Sequence, residues 1–193
     1  MLQNVFGFIA HPRQQWMQLR SNSGQTTSEA FVRYLVLIAL IPPIAVAVGS
    51  SQIGWPASDG SHFTLSLNVA VPLAIMFYIL LLSCVLGIAW IMNRILAFYE
   101  GESDYDRCLV FTIITSVPLF LSGFAGFVPL LWVDIAVVLM AGCLSTYLLY
   151  TGIPIFLGVV AQERKVMSFV ILIFAFITLA ACLGITLSMT VLV

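Results

Sequence analysis

The chain has 193 residues, of which 62% are hydrophobic and only 8% are charged. So little polar surface cannot cover a water-soluble globule, and the composition therefore excludes an ordinary soluble domain. The natural solvent for most of the chain is lipid. With a formal net charge of −1, we expect the bilayer to be its main partner and expect no nucleic-acid partner.

Residues 1–30 are predicted to form a cytoplasmic segment that lies at the membrane interface, ahead of a transmembrane domain at 31–193. Apolar residues recur at helical spacing before the His11-Pro12 break, and Trp16 continues the pattern among arginines and glutamines. This pattern is typical of a helix lying on the inner leaflet. Two interpretations remain open: a helix that packs under the bundle, and a docking site for a cytoplasmic protein partner.

Five long apolar stretches follow, at 34–49, 67–92, 108–128, 130–151 and 166–193. A spanning helix needs about 20 residues, and the first stretch reaches that length only if Phe31 and Val32 are included. The runs are continuous and lack strand alternation, which favours helices over a barrel. The sequence therefore predicts an all-α polytopic membrane protein: a bundle of five transmembrane helices with an interfacial amino-terminal helical segment.

The basic residues all fall in segments on one predicted side of the membrane. Arg13, Arg20 and Arg33 precede the first span, Arg94 and Arg107 flank the second connection, and Arg164 and Lys165 lie in the fourth. Because Lys and Arg are retained on the cytoplasmic face, this asymmetry predicts a cytoplasmic amino terminus and a periplasmic carboxyl terminus. It also argues against insertion in both directions, so any homo-oligomer is predicted to be parallel.

Prolines interrupt the predicted spans. Pro42 and Pro43 fall midway through the first span and Pro118 at the centre of the third, where each removes a backbone hydrogen bond and kinks a helix. Thr115 and Ser116 are expected to satisfy the carbonyls that Pro118 frees. One interpretation is that these kinks shape packing. The other is a transport path, lined by these residues together with Tyr147 and Tyr150.

Small residues at four-residue spacing mark faces where helices can approach closely. Ala180, Gly184 and Ser188 form such a ridge on the fifth span, and the pairs Ser83 with Gly87 and Ser122 with Gly126 form shorter ones. The ridges predict packing within the chain or self-association through the fifth span. Gly152 and Pro154 instead form a helix-stop pair at the end of the fourth span.

Few residues are suited to catalysis or to metal binding. His11 and His62 are predicted on opposite faces of the membrane, so they cannot share a metal or act together as a base. Asp134 is the one acidic residue attached to a span, and its place two residues after Trp132 predicts a shallow position. Ser103 and Asp106 match a capping box at the start of the third helix. We expect no catalytic residues, no metal, no cofactor and no enzymatic activity.

Several strings with fixed proline and glycine positions resemble a known family. They are His11-Pro12, Gln52-Ile-Gly54-Trp55, Ser116-Val-Pro118-Leu-Phe-Leu-Ser122-Gly123 and Tyr150-Thr-Gly152-Ile-Pro154. The chain resembles the Yip domain, named after proteins that interact with Ypt/Rab GTPases, and most closely its small bacterial inner-membrane branch. The resemblance implies a five-helix inner-membrane protein without an assigned activity.

Two functions remain as hypotheses. The first is a membrane scaffold or partner-binding module that works through its amino-terminal segment. The second is a small transporter or channel with a path along the proline-kinked helices. Charged residues are absent near the predicted span centres, which favours the scaffold. The mixture of Trp, Gly and Pro at 52–56 also predicts an ordered first outer loop that caps the bundle.

Overall fold

The computed structural model describes residues 12–21, 28–56, 62–98, 104–128 and 131–158, with three single residues beyond them. In chain order these residues form α1 (Pro12–Ser21), α2 (Ser28–Ile38), α3 (Ile41–Val48), a π-helical turn (Gly49–Ile53), β1 (Trp55–Pro56), β2 (His62–Phe63), α4 (Leu67–Phe98), α5 (Tyr105–Ser122), a 3-10 turn (Gly123–Phe127) and α6 (Leu131–Phe156). The amino-terminal apolar positions and nearly all of the predicted fifth span lie outside the described residues.

Four described stretches are long and apolar enough to cross a membrane: Ala30–Gln52, Leu67–Ala97, Tyr105–Phe127 and Trp132–Phe156. They coincide with the first four predicted spans, so the helical transmembrane class is confirmed for the described part of the chain. The fifth span stays a prediction. The helices run past the apolar stretches, as α4 does beyond Met92 through Asn93 and Arg94, because side chains near a helix end can reach the headgroups while the backbone stays helical.

Helix α5 is the centre of the bundle. About 67% of its span is buried, against 22% or less for each of the other three described spans, and it contacts α2, α4 and α6. Two apolar clusters surround it, one containing Phe111 and the other Ile113. We call the end of the bundle with α1, Arg94 and the start of α5 the arginine end, and the end with β1 and β2 the hairpin end.

The first span is divided into two helices at its proline pair. Helix α2 ends at Ile38, a turn follows, and α3 begins at Ile41 with Pro42 and Pro43 in its first turn. Proline is well tolerated there because the first backbone N–H groups of a helix have no intrahelical acceptor. The expected kink is thus a break between two helices. Pro118, by contrast, lies inside the continuous helix α5.

The first span meets the 3-10 turn so closely that glycine is needed at the contact. A Cβ atom added at Gly123 would lie 2.8 Å from the Cα of Pro42, and one at Gly49 would lie 2.7 Å from the carbonyl oxygen of Gly126. Close approach through small residues, as predicted for the ridge that includes Gly126, therefore occurs at the hairpin end. The ridge on α4 differs, because a Cβ at Gly87 would meet no atom within 4 Å.

The described parts of the first loop are hydrogen-bonded to each other. β1 and β2 pair antiparallel, with Trp55 opposite Phe63 and Pro56 opposite His62. The backbone N–H of Leu65 also donates to the carbonyl oxygen of Ser50 at 2.9 Å. The two described ends of the loop are therefore held together, while residues 57–61 between them lie outside the described residues, so the predicted cap over the bundle stays a prediction.

The amino-terminal cap of α5 is Asp104, so the predicted capping box that began at Ser103 is wrong. The Oδ1 atom of Asp104 accepts a hydrogen bond from the backbone N–H of Asp106 at 3.1 Å. Asp104 has an extended backbone and directly precedes the first helical residue, Tyr105, which is the geometry that a cap requires. Its other carboxylate oxygen lies 3.8 Å from the Nε of Arg107.

Candidate functional site

Helix α1 is anchored to the bundle by the indole ring of Trp16. This side chain has no exposed surface. Its ring centroid lies 4.9 Å from that of Phe111 on α5 and 5.5 Å from that of Phe156 on α6. Tilted aromatic pairs at such distances contribute beyond the area they bury. The amino-terminal segment, at least from Pro12 to Ser21, therefore packs against protein rather than only against lipid. We call Trp16, Phe111, Gly152 and Phe156 the anchor site.

Gly152 makes the space in which Trp16 sits. A Cβ atom at this position would lie 2.5 Å from Cε2 of Phe111 and 2.7 Å from Cε2 of Trp16. Gly152 lies within α6, which continues through Pro154 and ends at Phe156. The expected helix stop therefore comes slightly after the Gly-Pro pair, and the glycine serves close packing of three elements.

Arg20 adds a polar contact at the far end of α1. Its Nη1 donates a hydrogen bond of 2.8 Å to the carbonyl oxygen of Ile155. The last carbonyls of a helix lack intrahelical partners and carry a partial negative charge, so a guanidinium is well suited to them. The chain then turns at Gly158, whose φ of +73° suits glycine. Arg20 thus caps α6 from a different part of the chain.

The opposite face of α1 is polar and open. Arg13, Gln14 and Gln18 are exposed, and Met17 is 58% exposed. With the apolar side of the helix held in the anchor site, these side chains point away from the bundle at the arginine end. We call this exposed side the outer face of α1.

The hydroxyl groups at the centre of α5 are used within their own helix. Thr115 donates to the carbonyl oxygens of Phe111 and Thr112, both at 3.0 Å, and Ser116 donates to that of Thr112 at 2.8 Å. The expectation that they satisfy the carbonyl freed by Pro118 is wrong. That carbonyl belongs to Ile114, whereas a Ser or Thr hydroxyl reaches back three or four residues from its own position.

The predicted path residues on α6 differ from Thr115 in exposure. Tyr147 is 50% exposed on α6, and Tyr150 is half-buried, whereas Thr115 is buried within α5. Asp134 lies in the first turn of α6, close in sequence to Trp132, which is 82% exposed. A carboxylate is favoured at a helix amino terminus, which explains this acidic residue without a functional role.

The structure leaves some predicted positions without a description. Ala180, Gly184 and Ser188 lie outside the described residues. Among the residues that are described, no group of three His, Cys, Asp or Glu side chains could hold a metal ion.

Sequence patterns missed the anchor site because its members come from three distant parts of the chain. The helical spacing around Trp16 signals a buried face, and Gly152 signals a local feature of α6. Neither signal specifies its partner. Only the packing of α1 and α6 brings the two residues together.

Comparisons with known proteins found a family model and two similar proteins. The family model of the Yip1 domain matches residues 6–183. The chain is 34% identical over 166 residues to "Inner membrane protein YohC" of Escherichia coli strain K12, covering 84% of this chain and 83% of that protein. The protein of the same name from Escherichia coli O6:H1 matches with the same identity and coverage. No solved structure matches.

Proposed function

The chain belongs to the Yip1 domain family, and from that premise we propose that it is a scaffold in a bacterial inner membrane that presents α1 to a cytoplasmic protein partner. The similar proteins named above are inner-membrane proteins, and the described helices are long and apolar enough for a multi-pass protein. These observations support the membrane location, and the scaffold role is the part of the proposal that goes beyond them.

The observation that carries this proposal is the packing of α1 against α5 and α6. An amphipathic helix that only rests on a membrane buries its apolar face in lipid and can slide or rotate. Here Trp16 is fully buried among Phe111, Phe156 and Gly152, and Arg20 is bonded to the end of α6. Such fixing gives the exposed side chains of α1 a defined position, which lowers the entropy cost of binding a partner.

The proposed orientation places this face in the cytoplasm. The described arginines, at positions 13, 20, 33, 94 and 107, all lie on segments at the arginine end. Retention of basic residues inside the cell then makes that end cytoplasmic. The carboxyl terminus is periplasmic if the predicted fifth span crosses the membrane, and any homo-oligomer formed through Ala180, Gly184 and Ser188 is parallel.

The proposal includes no catalysis and no transport. A path for a polar solute needs hydrated groups at membrane depth. The hydroxyls of Thr112, Thr115 and Ser116 instead bond to carbonyl oxygens of α5 itself. No described observation favours the transporter over the scaffold.

Site-specific photocrosslinking tests the scaffold role. A photoreactive amino acid placed at Gln14, on the outer face of α1, is expected to give one discrete protein adduct in native membranes. The matched control carries the probe at Trp132, which is 82% exposed but lies at the hairpin end, and should not give that adduct. In a Trp16→Ala background the Gln14 adduct should weaken, because α1 loses its anchor.

Three outcomes would contradict the scaffold. One is the absence of an adduct at Gln14, and another is the same adduct from Trp132. The third is solute flux through proteoliposomes that Thr115→Val or Pro118→Ala changes, which would support the transporter.

A further inference from the structure

Helix α4 has one charged side chain, and it lies on the outside of the bundle. Arg94 is exposed near the arginine end, and its guanidinium carbon lies 5.2 Å from the centroid of the Trp90 ring, which is itself 54% exposed. Within the described part of the chain, no carboxylate pairs with Arg94. The ring holds the guanidinium in place through a cation–π contact.

A smooth strip runs from this pair toward the middle of the membrane. Gly87 and Ser83 follow Trp90 at helical spacing, so all four residues share one face of α4. A Cβ at Gly87 would meet no atom within 4 Å. Ser83 is exposed, yet its hydroxyl already donates to the carbonyl oxygen of Ile79 at 2.8 Å, so the strip requires no polar partner there.

The strip ends in an apolar groove. The groove has a volume of about 450 Å³ and begins at Ser83; its lining is Pro72, Ile75, Met76, Ile79, Leu80 and Ser83. From Arg94 to Ser83 the helix rises about 16 Å at about 1.5 Å per residue. One leaflet contributes half of a hydrocarbon core that is about 30 Å thick. An acyl chain whose headgroup sits at Arg94 therefore ends where the groove opens.

We propose that this face of α4 binds one anionic phospholipid, with its phosphate at Arg94 and an acyl chain along Trp90, Gly87 and Ser83. A guanidinium suits a phosphate group, and the carboxylates of the described residues leave that of Arg94 available. The alternative occupant, a second copy of the chain, is disfavoured by charge. A parallel copy placed on this face would bring two Arg94 side chains to the same depth, and like charges at an interface are repulsive.

Native mass spectrometry of the purified full-length protein tests the site. The protein is incubated with phosphatidylglycerol or with phosphatidylcholine of the same acyl chains, and the bound lipids are counted. Wild-type protein should favour phosphatidylglycerol by about fivefold, the effect of about one basic group at an anionic headgroup. Arg94→Gln should remove this preference. The control Arg33→Gln removes the same charge from an exposed position on α2 and should keep it.

A second pair of variants tests the path of the acyl chain. Gly87→Leu adds a side chain whose Cβ meets no atom within 4 Å, and it improves helix propensity, so the protein should still fold. It should lower the binding of both lipids. Gly142→Leu on α6 is the matched control, since a Cβ there also meets no atom within 4 Å, and it should leave lipid binding unchanged.

Several results would overturn the proposal. Equal selectivity in wild-type and Arg94→Gln protein would remove Arg94 from lipid recognition. Equal losses in Arg94→Gln and Arg33→Gln would mean diffuse attraction by net charge. If Gly87→Leu leaves lipid binding intact but converts a dimer to a monomer, the face belongs to a second copy of the chain.

Discussion

At Gly152, the absence of a side chain leaves the space that the indole of Trp16 occupies. Gly152→Ala would place a methyl group 2.5 Å from Phe111 and 2.7 Å from Trp16, so one of the aromatic rings must move. Overpacking of this kind costs roughly 1–3 kcal/mol. We expect the substitution to lower the thermal unfolding midpoint of the detergent-solubilised protein.

Gly142→Ala supplies the matched control for Gly152→Ala. It lies on the same helix, with no atom within 4 Å of an added Cβ. Alanine favours a helix over glycine by about 1 kcal/mol, so this variant should unfold at the same or a slightly higher temperature. Equal destabilisation by both alanines would contradict the close packing at the anchor site.

Trp16 and Met17 are adjacent in α1, but Trp16 is buried and Met17 is exposed. Trp16→Ala empties the anchor site and should cost about 3–5 kcal/mol of docking energy. Met17→Ala removes a side chain that is 58% exposed and should change stability by less than about 0.5 kcal/mol. Limited trypsin digestion measures the difference, because undocked α1 exposes the bonds after Arg13 and Arg20. Similar cleavage of the two variants would refute the anchoring of α1 by Trp16.

Part of this residue-level arrangement follows from the sequence. The spacing around Trp16 predicts an amphipathic helix, and the structure has a helix there. Its contact with Gly152 could not be predicted, since helical periodicity reports which face is buried and not what covers it. In the sequence, Gly152 is already explained as part of a helix-stop pair with Pro154. Nothing in that pattern indicates that it also packs against Trp16.

Among the elements, α3 and the 3-10 turn approach each other too closely for a side chain at Gly123. Gly123→Ala would bring a Cβ within 2.8 Å of the Cα of Pro42. The backbone must then move, because the nearest atoms belong to the backbone and the ring of Pro42 and not to the end of a flexible side chain. We expect a loss of roughly 1–3 kcal/mol, with faster amide hydrogen exchange in α3.

Gly87→Ala, a substitution that meets open space on α4, serves as the comparison for Gly123→Ala. It should leave exchange in α3 unchanged. Unaltered exchange in Gly123→Ala protein would show that the first span and the turn are not tightly packed.

The described spans could be predicted as helices, because a long apolar run in lipid must satisfy its backbone hydrogen bonds within the segment. The residues at which these helices begin and end were harder to predict. The first stretch was predicted to begin at Tyr34, yet α2 begins at Ser28, because hydropathy falls at polar residues while the backbone remains helical. The effect of the prolines also depended on position. Pro42 falls in a first helical turn after a break, whereas Pro118 is carried inside an otherwise continuous helix that is held by its neighbours.

For the whole molecule, the distribution of arginine predicts the orientation. In a variant without native cysteines, a membrane-impermeant maleimide added from the periplasmic side should label Ser66→Cys. It should not label Ser21→Cys until the membrane is permeabilised. Both positions are exposed, and they lie at the hairpin end and the arginine end, respectively. The physical reason is the retention of basic segments in the cytoplasm.

Labelling of Ser21→Cys in intact cells would invert the proposed topology. Labelling of both positions in intact cells would indicate insertion in both directions, and a parallel homo-oligomer would then no longer be expected.

The hydrogen bond from Arg20 to Ile155 joins residues that are 135 positions apart in the chain. During synthesis from the amino terminus, α1 is therefore made long before the helix end that it caps. At about 5–20 residues per second, the ribosome needs roughly 7 to 27 s to cover that distance. During this interval the anchor site is incomplete, because Gly152 and Phe156 have not yet been synthesised. The bilayer surface is then the nearest apolar environment for the indole of Trp16. We therefore expect the amphipathic character of α1 to keep Trp16 out of water in the nascent chain, before the anchor site exists.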